Sequence, residues 1–386
     1  MFDYDVVIVG GAVSGPCAAK DLAAAGLRTL LIEKYKVPRD KSCSGIQWPY
    51  FEKLIGEKIP KERLCNYQIE KVVLELPDGF TSGGPTKMLN FMRKPLDEWM
   101  CNVAQEKGAI FWDETNFIDY TEKVTHIEVE VIKKGDIKQT ITTKYLIDAT
   151  GLRPVVRKKL RPEDFSTKSS GATLNYYIDG TCDADPEALY QFWRLEFNDA
   201  MFAWLYTKTL DDGKDYWVVG TGCNFGSVKD RQELLYKYVQ EKFNLKGEIV
   251  KREGYSTNTK ILSDEKVWLG QNHILMVGDA AGLIDMARGV GMDAAAISGR
   301  LAARAIIKTE LKNSKKDALT NYTKLMRNIT KQTRANQKKD ISQFETNEQL
   351  TAHMKGGMLK LAVKLIWGMF VNKFKRIENI ILLPPA

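Results

Sequence analysis

Residues Asp3 to Lys34 read as strand, turn, helix and strand, and that order restricts what the rest of the chain can build. Val6, Val7, Ile8 and Val9 form an unbroken apolar run, the pattern of a parallel strand covered on both faces. Gly10 ends it. Ser14 to Ala25 then carries Pro16 in its first turn, where a missing N–H costs nothing, and Gly26 follows as a helix stop. Leu30, Leu31 and Ile32 make a second strand whose carboxyl end carries Glu33, 18 residues beyond Gly15. A glycine turn in this setting holds an anion, because free N–H groups and the positive end of the helix dipole point to one place. Gly10 and Gly15 take the outer positions of a Gly-x-Gly-x-x-Gly pattern, and Ala12 stands where the middle glycine would be. The expectation is a dinucleotide unit: Gly10, Gly11, Ala12, Ser14 and Gly15 cradle a pyrophosphate, and Glu33, with Lys34 beside it, meets an adenosine ribose.

Other chemistries find little support. The six cysteines have no metal-ligand spacing, so no metal site is expected, and the three histidines stand in unrelated contexts. A chain poor in obvious catalytic side chains points to a cofactor that does the chemistry. The net charge of +8 is modest for 386 residues and gathers near the carboxyl end, not in a stripe with aromatic platforms, so nucleic acid is not an expected partner. The first strand follows the initial methionine almost at once, with no leader pattern before it, which suggests a cytoplasmic protein.

Farther along, Lys41-Ser42-Cys43-Ser44-Gly45 is irregular, Tyr50 to Glu57 suits a short helix, and Gln68 to Phe91 holds strands around an Asp78-Gly79 turn. Arg93 to Lys107 is an amphipathic helix ended by Gly108. Three alternating segments between residues 116 and 143 predict a meander, and Tyr145 to Gly151 an apolar strand ending in Asp148-Ala149-Thr150-Gly151. Aromatic-rich strands fill 169–259, with a helix near 230–243. Ile274 to Val277 is a further buried strand before Gly278-Asp279, and a long alanine-rich helix follows Gly289-Val290-Gly291-Met292. Three strand ends thus carry glycine and acid, and ligands on open α/β sheets sit outside such ends.

In this order of motifs the chain resembles the FAD-dependent reductases and monooxygenases of the p-hydroxybenzoate hydroxylase type, and among them the geranylgeranyl reductase family. The resemblance covers nearly all of residues 3–310. It implies an α/β fold: a Rossmann-type FAD-binding domain of three-layer ββα architecture (1–66, 92–165 and 262–311), interleaved with a mixed β-sheet substrate domain (67–91 and 166–261). A helical, basic carboxyl-terminal region (312–386) follows. It implies FAD as cofactor, with Arg93 near it, Gly278 and Asp279 at its ribityl and pyrophosphate, and Gly289, Gly291 and Met292 beside its pyrimidine ring. The Asp148 segment with Arg157 matches another strand-end motif of the family. The Cys43 segment, with Ser44 and Gly45, is similar to the family's segment beside the flavin ring, with a proline and one glycine replaced, and makes Cys43 the candidate proton donor, with ordered water its competitor. Phe202-x-Trp204-x-Tyr206-Thr207-Lys208 is similar to the strand over the family's substrate cavity, with a proline lost. Taken alone, Cys43 reads as well as a small loop residue, and Phe202, Trp204 and Tyr206 as core.

The implied activity is hydride transfer from reduced flavin to a carbon–carbon double bond of an apolar isoprenoid lipid or quinone. The electron donor, NAD(P)H or a ferredoxin-like protein, stays open. A hydroxylase acting on an aromatic or polyketide substrate is the alternative within the fold, and a membrane-associated flavin electron carrier without substrate turnover is the alternative of another functional class; the Trp-x-Trp-x-Ile-Pro signature of flavin halogenases is absent. Lys355 to Arg376 contains six bases and no acid among bulky apolar residues, and its longest uncharged run is far short of the roughly 20 residues that cross a bilayer. A membrane-surface contact through 355–383, on the inner face of the membrane, competes there with a helix packed on its own protein. Ile380 to Leu383 could dock on the body.

Overall fold

The computed structural model describes residues 2–383 apart from 66, 166–170, 225, 258–265, 286, 287, 313 and 338–340. The opening unit folds as its sequence predicts: β1 (Tyr4–Val9), α1 (Ser14–Ala24) and β2 (Thr29–Ile32), with β1 and β2 parallel. Then come β3 (Ile46–Gln47), α2 (Phe51–Ile55), α3 (Lys61–Leu64), and the hairpin β4 (Tyr67–Glu75) and β5 (Thr81–Asn90). Next are α4 (Arg93–Glu106), β6 (Ile110–Trp112), and the meander β7 (Thr115–Glu122), β8 (Ile127–Lys133) and β9 (Ile137–Asp148). After α5 (Val155–Leu160) the chain forms β10 (Gly171–Thr181), β11 (Ala188–Phe192), β12 (Ala203–Thr209), β13 (Asp215–Cys223), α6 (Val228–Phe243) and β14 (Lys246–Thr257). Last come β15 (Gly270–Gln271), β16 (Ile274–Met276), α7 (Met292–Leu311), α8 (Ala318–Gln337) and α9 (Asn347–Asn372).

Two mixed sheets result. The first runs β15-β16-β9-β1-β2-β6, with β7 and β8 paired beside β9. Where the sequence reads as two segments, β9 is one strand: its first part is antiparallel to β8 and its last part parallel to β1. Val9, Asp148 and Met276 stand opposite one another in register, so β1, β9 and β16 end in one row. The second sheet runs β14-β10-β13-β12-β11-β4-β5-β3. Its β3 comes from the loop after Glu33, so the first segment of the chain contributes an edge to the second sheet.

Strand alternation gives the second sheet two different faces. Ala203, Leu205 and Val219 pack with Leu235 and Val239 of α6. Tyr206, Val218 and Tyr177 pack on the opposite face with Trp48 and Leu383, joined there by Leu365 and Met369 of α9. Each fully buried aliphatic side chain contributes roughly 1.5–3 kcal/mol. The largest core joins the first sheet to α1, α7 and α8. Helices α1 and α7 cross at Gly299, where a methyl group would fall 2.2 Å from the Ser14 carbonyl oxygen. The expected docking of Ile380 to Leu383 is present: Ile380, Leu382 and Leu383 are buried, and Asn372 exchanges hydrogen bonds of 2.8 and 2.9 Å with the Ile381 backbone.

Candidate active site

The row formed by Val9, Asp148 and Met276 brings the three glycine-and-acid corners together. Gly10 has φ +116°, and a Cβ there would sit 2.3 Å from the Ala149 carbonyl oxygen; one on Gly15 would sit 1.9 Å from the Gly10 oxygen. Only hydrogen fits at either place. Gly278 adjoins Ser14, its Cβ position lying 3.1 Å from that hydroxyl, and Gly291 adjoins Asp279, 3.1 Å from Oδ1. Asp148 is fully buried and accepts from the N–H (3.0 Å) and hydroxyl (2.6 Å) of Thr150; burial pushes its carboxyl above the usual range, against those bonds. Arg157 is buried and braces the third corner, donating to the Ala280 carbonyl at 3.2 Å, and pairs with Asp164.

Glu33 closes the first corner. It accepts the Gly11 N–H at 2.9 Å, the Tyr35 N–H at 3.1 Å and Arg39 Nη2 at 3.2 Å. A carboxylate has about four acceptor sites, so three protein donors leave room for one ligand hydroxyl. Lys34 is exposed, with its ammonium 5.4 Å from the Tyr35 ring centre. Arg39 also reaches Asp97 at 3.2 Å, and Asp97 takes a two-pronged bond from Arg93 one turn earlier on α4, with Nη2 at 2.8 Å from both oxygens. Burial works against the Arg93 charge, yet Asp97 and the Cys43 sulfur hold it above its usual value. Burial and the Arg93 charge push Lys41 down. Arg39 and Asp97 escape a sequence reading, because partners 58 positions apart leave no local pattern.

The Cys43 segment lies under the second sheet. Cys43 Sγ is 3.7 Å from the Met292 sulfur and accepts from the Gly45 N–H at 3.4 Å. Gly45 has φ +71°, and a Cβ there would fall 1.9 Å from the Phe91 oxygen and 3.2 Å from Lys208 Nζ. On β12, alternation turns Trp204, Tyr206 and Lys208 to this side. Tyr206 is fully buried, Phe202 is buried at the head of the strand, and Trp204 donates to Asn175 Oδ1 at 2.8 Å beside Gly220, where any Cβ would collide with both. Lys208 donates to the Phe91 oxygen (2.8 Å), to Asn90 Oδ1 (3.2 Å) and to the Ser44 oxygen, pinning the loop to the strand. A small recess opens here, lined by Cys43, Arg93, Lys208, Tyr177 and Glu253 among others. Tyr177 donates to Glu253 at 3.0 Å, and burial, the nearby Tyr206 and Glu253 raise its pKa. That pair rests on strand register, which the sequence alone does not display.

Burial pulls Lys208 down to about 8. Its unfolded value is about 10.4, so between those pH values the unfolded chain keeps a proton that the folded chain has released. The burial penalty is therefore fully present below about pH 8 and fades as the pH rises toward 10.4. Urea midpoints of wild type and Lys208→Met between pH 7 and 10 should show the wild type gaining on the variant, by at most about 1.4 kcal/mol per pH unit. A pH-independent difference would return Lys208 to its ordinary pKa.

The glycine loop is held from behind. Asp285 and Val290 bond each other's backbone at 3.1 and 3.2 Å. Arg288, buried, donates to Asp285 (2.6 Å), to Asp293 (2.8 Å) and to the Leu383 carbonyl (2.7 Å), while Asn336 of α8 donates to Asp285 at 2.6 Å. The loop thus rests on the docked carboxyl-terminal segment. Gly289 has φ +62° and would press a Cβ on Met201, and Met292 opens α7 with Gly291 as its cap.

These residues suit an extended ligand with an anionic middle. No side chain caps α1, the turn before it admits no Cβ, and a second helix start, that of α7, lies beyond Gly278 and Asp279. Among the described residues no cluster of His, Cys, Asp or Glu is arranged to hold a metal.

Residues 5–158 match the FAD dependent oxidoreductase family. A digeranylgeranylglycerophospholipid reductase of Sulfolobus acidocaldarius is 27% identical over 322 residues, covering 79% of this chain and 69% of that protein. A geranylgeranyl bacteriochlorophyll reductase-like protein of Thermoplasma acidophilum superposes with a TM-score of 0.75 at 18% identity, over 90% of this chain and 89% of that one. The p-nitrophenol 4-monooxygenase of Pseudomonas putida shares the fold with a TM-score of 0.71 at 13% identity, over 98% and 99% of the two chains.

Proposed function

This chain is an FAD-dependent oxidoreductase similar to the geranylgeranyl reductases, and from that premise we propose that it saturates carbon–carbon double bonds of an apolar isoprenoid lipid or quinone. The observation that best supports this reading is the inner face of β12, which packs Trp204 and Tyr206 into an apolar cluster and is tied, through Lys208, to the loop of Cys43.

Bound FAD, once reduced by NAD(P)H or a small redox protein, supplies the hydride for one alkene carbon. The residues of the chain hold and surround it. The Gly10–Gly15 turn and the start of α1 would take the pyrophosphate, Glu33 an adenosine hydroxyl, and Gly278 with Asp279 the ribityl side. Backbone N–H groups from Gly289 to Met292, and the start of α7, would stabilise negative charge on the ring. An isolated alkene accepts hydride poorly, so the site must exclude water, orient the double bond and bring a proton to its second carbon. Cys43 holds that proton at Sγ. A solvent proton passed along Glu253 and Tyr177, on the wall of the same recess, restores it after each turnover.

Anaerobic photoreduction followed by a geranylgeranyl lipid tests the reading: the flavin should reoxidise, and the lipid should gain two hydrogens per bond reduced. Reoxidation that needs oxygen and an aromatic compound would make the protein a hydroxylase; reoxidation by neither would leave an electron carrier. Cys43→Ser should reduce normally but transfer to the alkene about 10²–10⁴-fold more slowly, the usual range for a lost acid. Equal rates would leave Cys43 as packing.

A further inference from the structure

Helix α9 is apolar on two opposite sides, and the protein covers only one. Toward the body, Gly368 is buried, with its Cβ position 2.3 Å from Leu383, and Leu365 and Met369 join the cluster that holds Tyr206 and Trp48. On the far side Leu359, Val363, Ile366, Trp367, Phe370 and Phe374 are 79%, 58%, 72%, 60%, 57% and 75% exposed. At 3.6 residues per turn the five within α9 fall in an arc of about 100°, and Phe374 follows in the turn after it. Phe370 meets Trp367 and Phe374 with ring centres 6.4 and 5.5 Å apart, which makes the stripe continuous. Lys360 and Lys364 border it on one side, Lys373 and Lys355 on the other, Lys355 also meeting Asp78; no acid occurs from 355 to 376.

We propose that this outer face of α9 docks on the headgroup–acyl boundary of a bilayer that carries anionic lipid. No described helix is long and apolar enough to cross a membrane, so α9 lies in the interface with its stripe down and its lysines among the headgroups. A second copy of the same face fits poorly, because symmetric pairing would set six bases against six with no acid between them. The inner side of α9 packs on the cluster that holds Tyr206, so docking places that part of the second sheet near the surface where long-chain lipids reside. This last step rests on the proposed reaction; the docking does not.

The test uses the full-length protein loaded with FAD and vesicles of phosphatidylcholine, with or without an equal part of phosphatidylglycerol. Wild type should sediment with the anionic vesicles, less so at high salt, and an I366S/F370S variant with the same melting temperature and flavin spectrum should bind about tenfold more weakly or less. Equal sedimentation of the two proteins would overturn the proposal. So would failure of the wild type to bind, including the case in which light scattering finds a dimer that the variant abolishes. A protein that binds as expected yet reduces no isoprenoid would keep the docking and lose the reaction.

Discussion

Gly15→Ala should purify without colour. The added methyl would lie 1.9 Å from the Gly10 carbonyl oxygen, a contact with backbone that no rotamer can relieve, so the turn must open. Overpacking of this kind costs about 1–3 kcal/mol or more, equivalent to about 10- to 100-fold in an equilibrium constant. The strain falls on the N–H groups proposed to face the pyrophosphate, so FAD affinity should fall by that factor or more while far-ultraviolet circular dichroism keeps its shape. Gly26→Ala is the control. Gly26 also has positive φ, +87°, but nothing lies within 4 Å of its Cβ position, so it should lose a little stability and keep its flavin. A yellow Gly15→Ala protein of normal FAD affinity would refute the assignment of this turn.

The largest effect on stability is expected from Arg288→Met. Asp285 and Asp293 would be left buried without their cation, and breaking a buried pair in this way costs about 3–5 kcal/mol. The Leu383 carbonyl would lose its donor as well, so the carboxyl-terminal segment should become open to proteolysis at a lower urea concentration. Replacing both acids with Asn in the same protein should recover much of the loss, since neutral amides need no counter-charge. Urea denaturation of the single and triple variants checks both points. Identical midpoints for wild type and Arg288→Met would show that the network is dispensable.

What could be read from the sequence was whatever depends on neighbours. Val6 to Val9, the glycines after them and Glu33 announce a strand, a turn and a second strand within one short segment, and β1, α1 and β2 follow them closely. Trp204, Tyr206 and Lys208 share a face because period two allows nothing else. The concealed part is made by pairing across distance. Arg39 meets Asp97, Tyr177 meets Glu253, and Arg288 meets Leu383 over 95 residues, and none of these partners marks the other. Nothing beside Lys208 in the sequence announces that it is buried among carbonyls. Helix α9 hides its character differently: with apolar residues on both sides, no single stripe stands out in its sequence.

The crossing at Gly299 fixes how α1 and α7 meet. Gly299 lies seven residues into α7, roughly 10 Å of rise beyond Met292, and its missing side chain lets the Ser14 end of α1 rest on the flank of the longer helix. The two positive helix starts are therefore held at a fixed offset, like marks on a ruler. A bulkier residue at 299 would slide one mark against the other and misfit any ligand that must reach both.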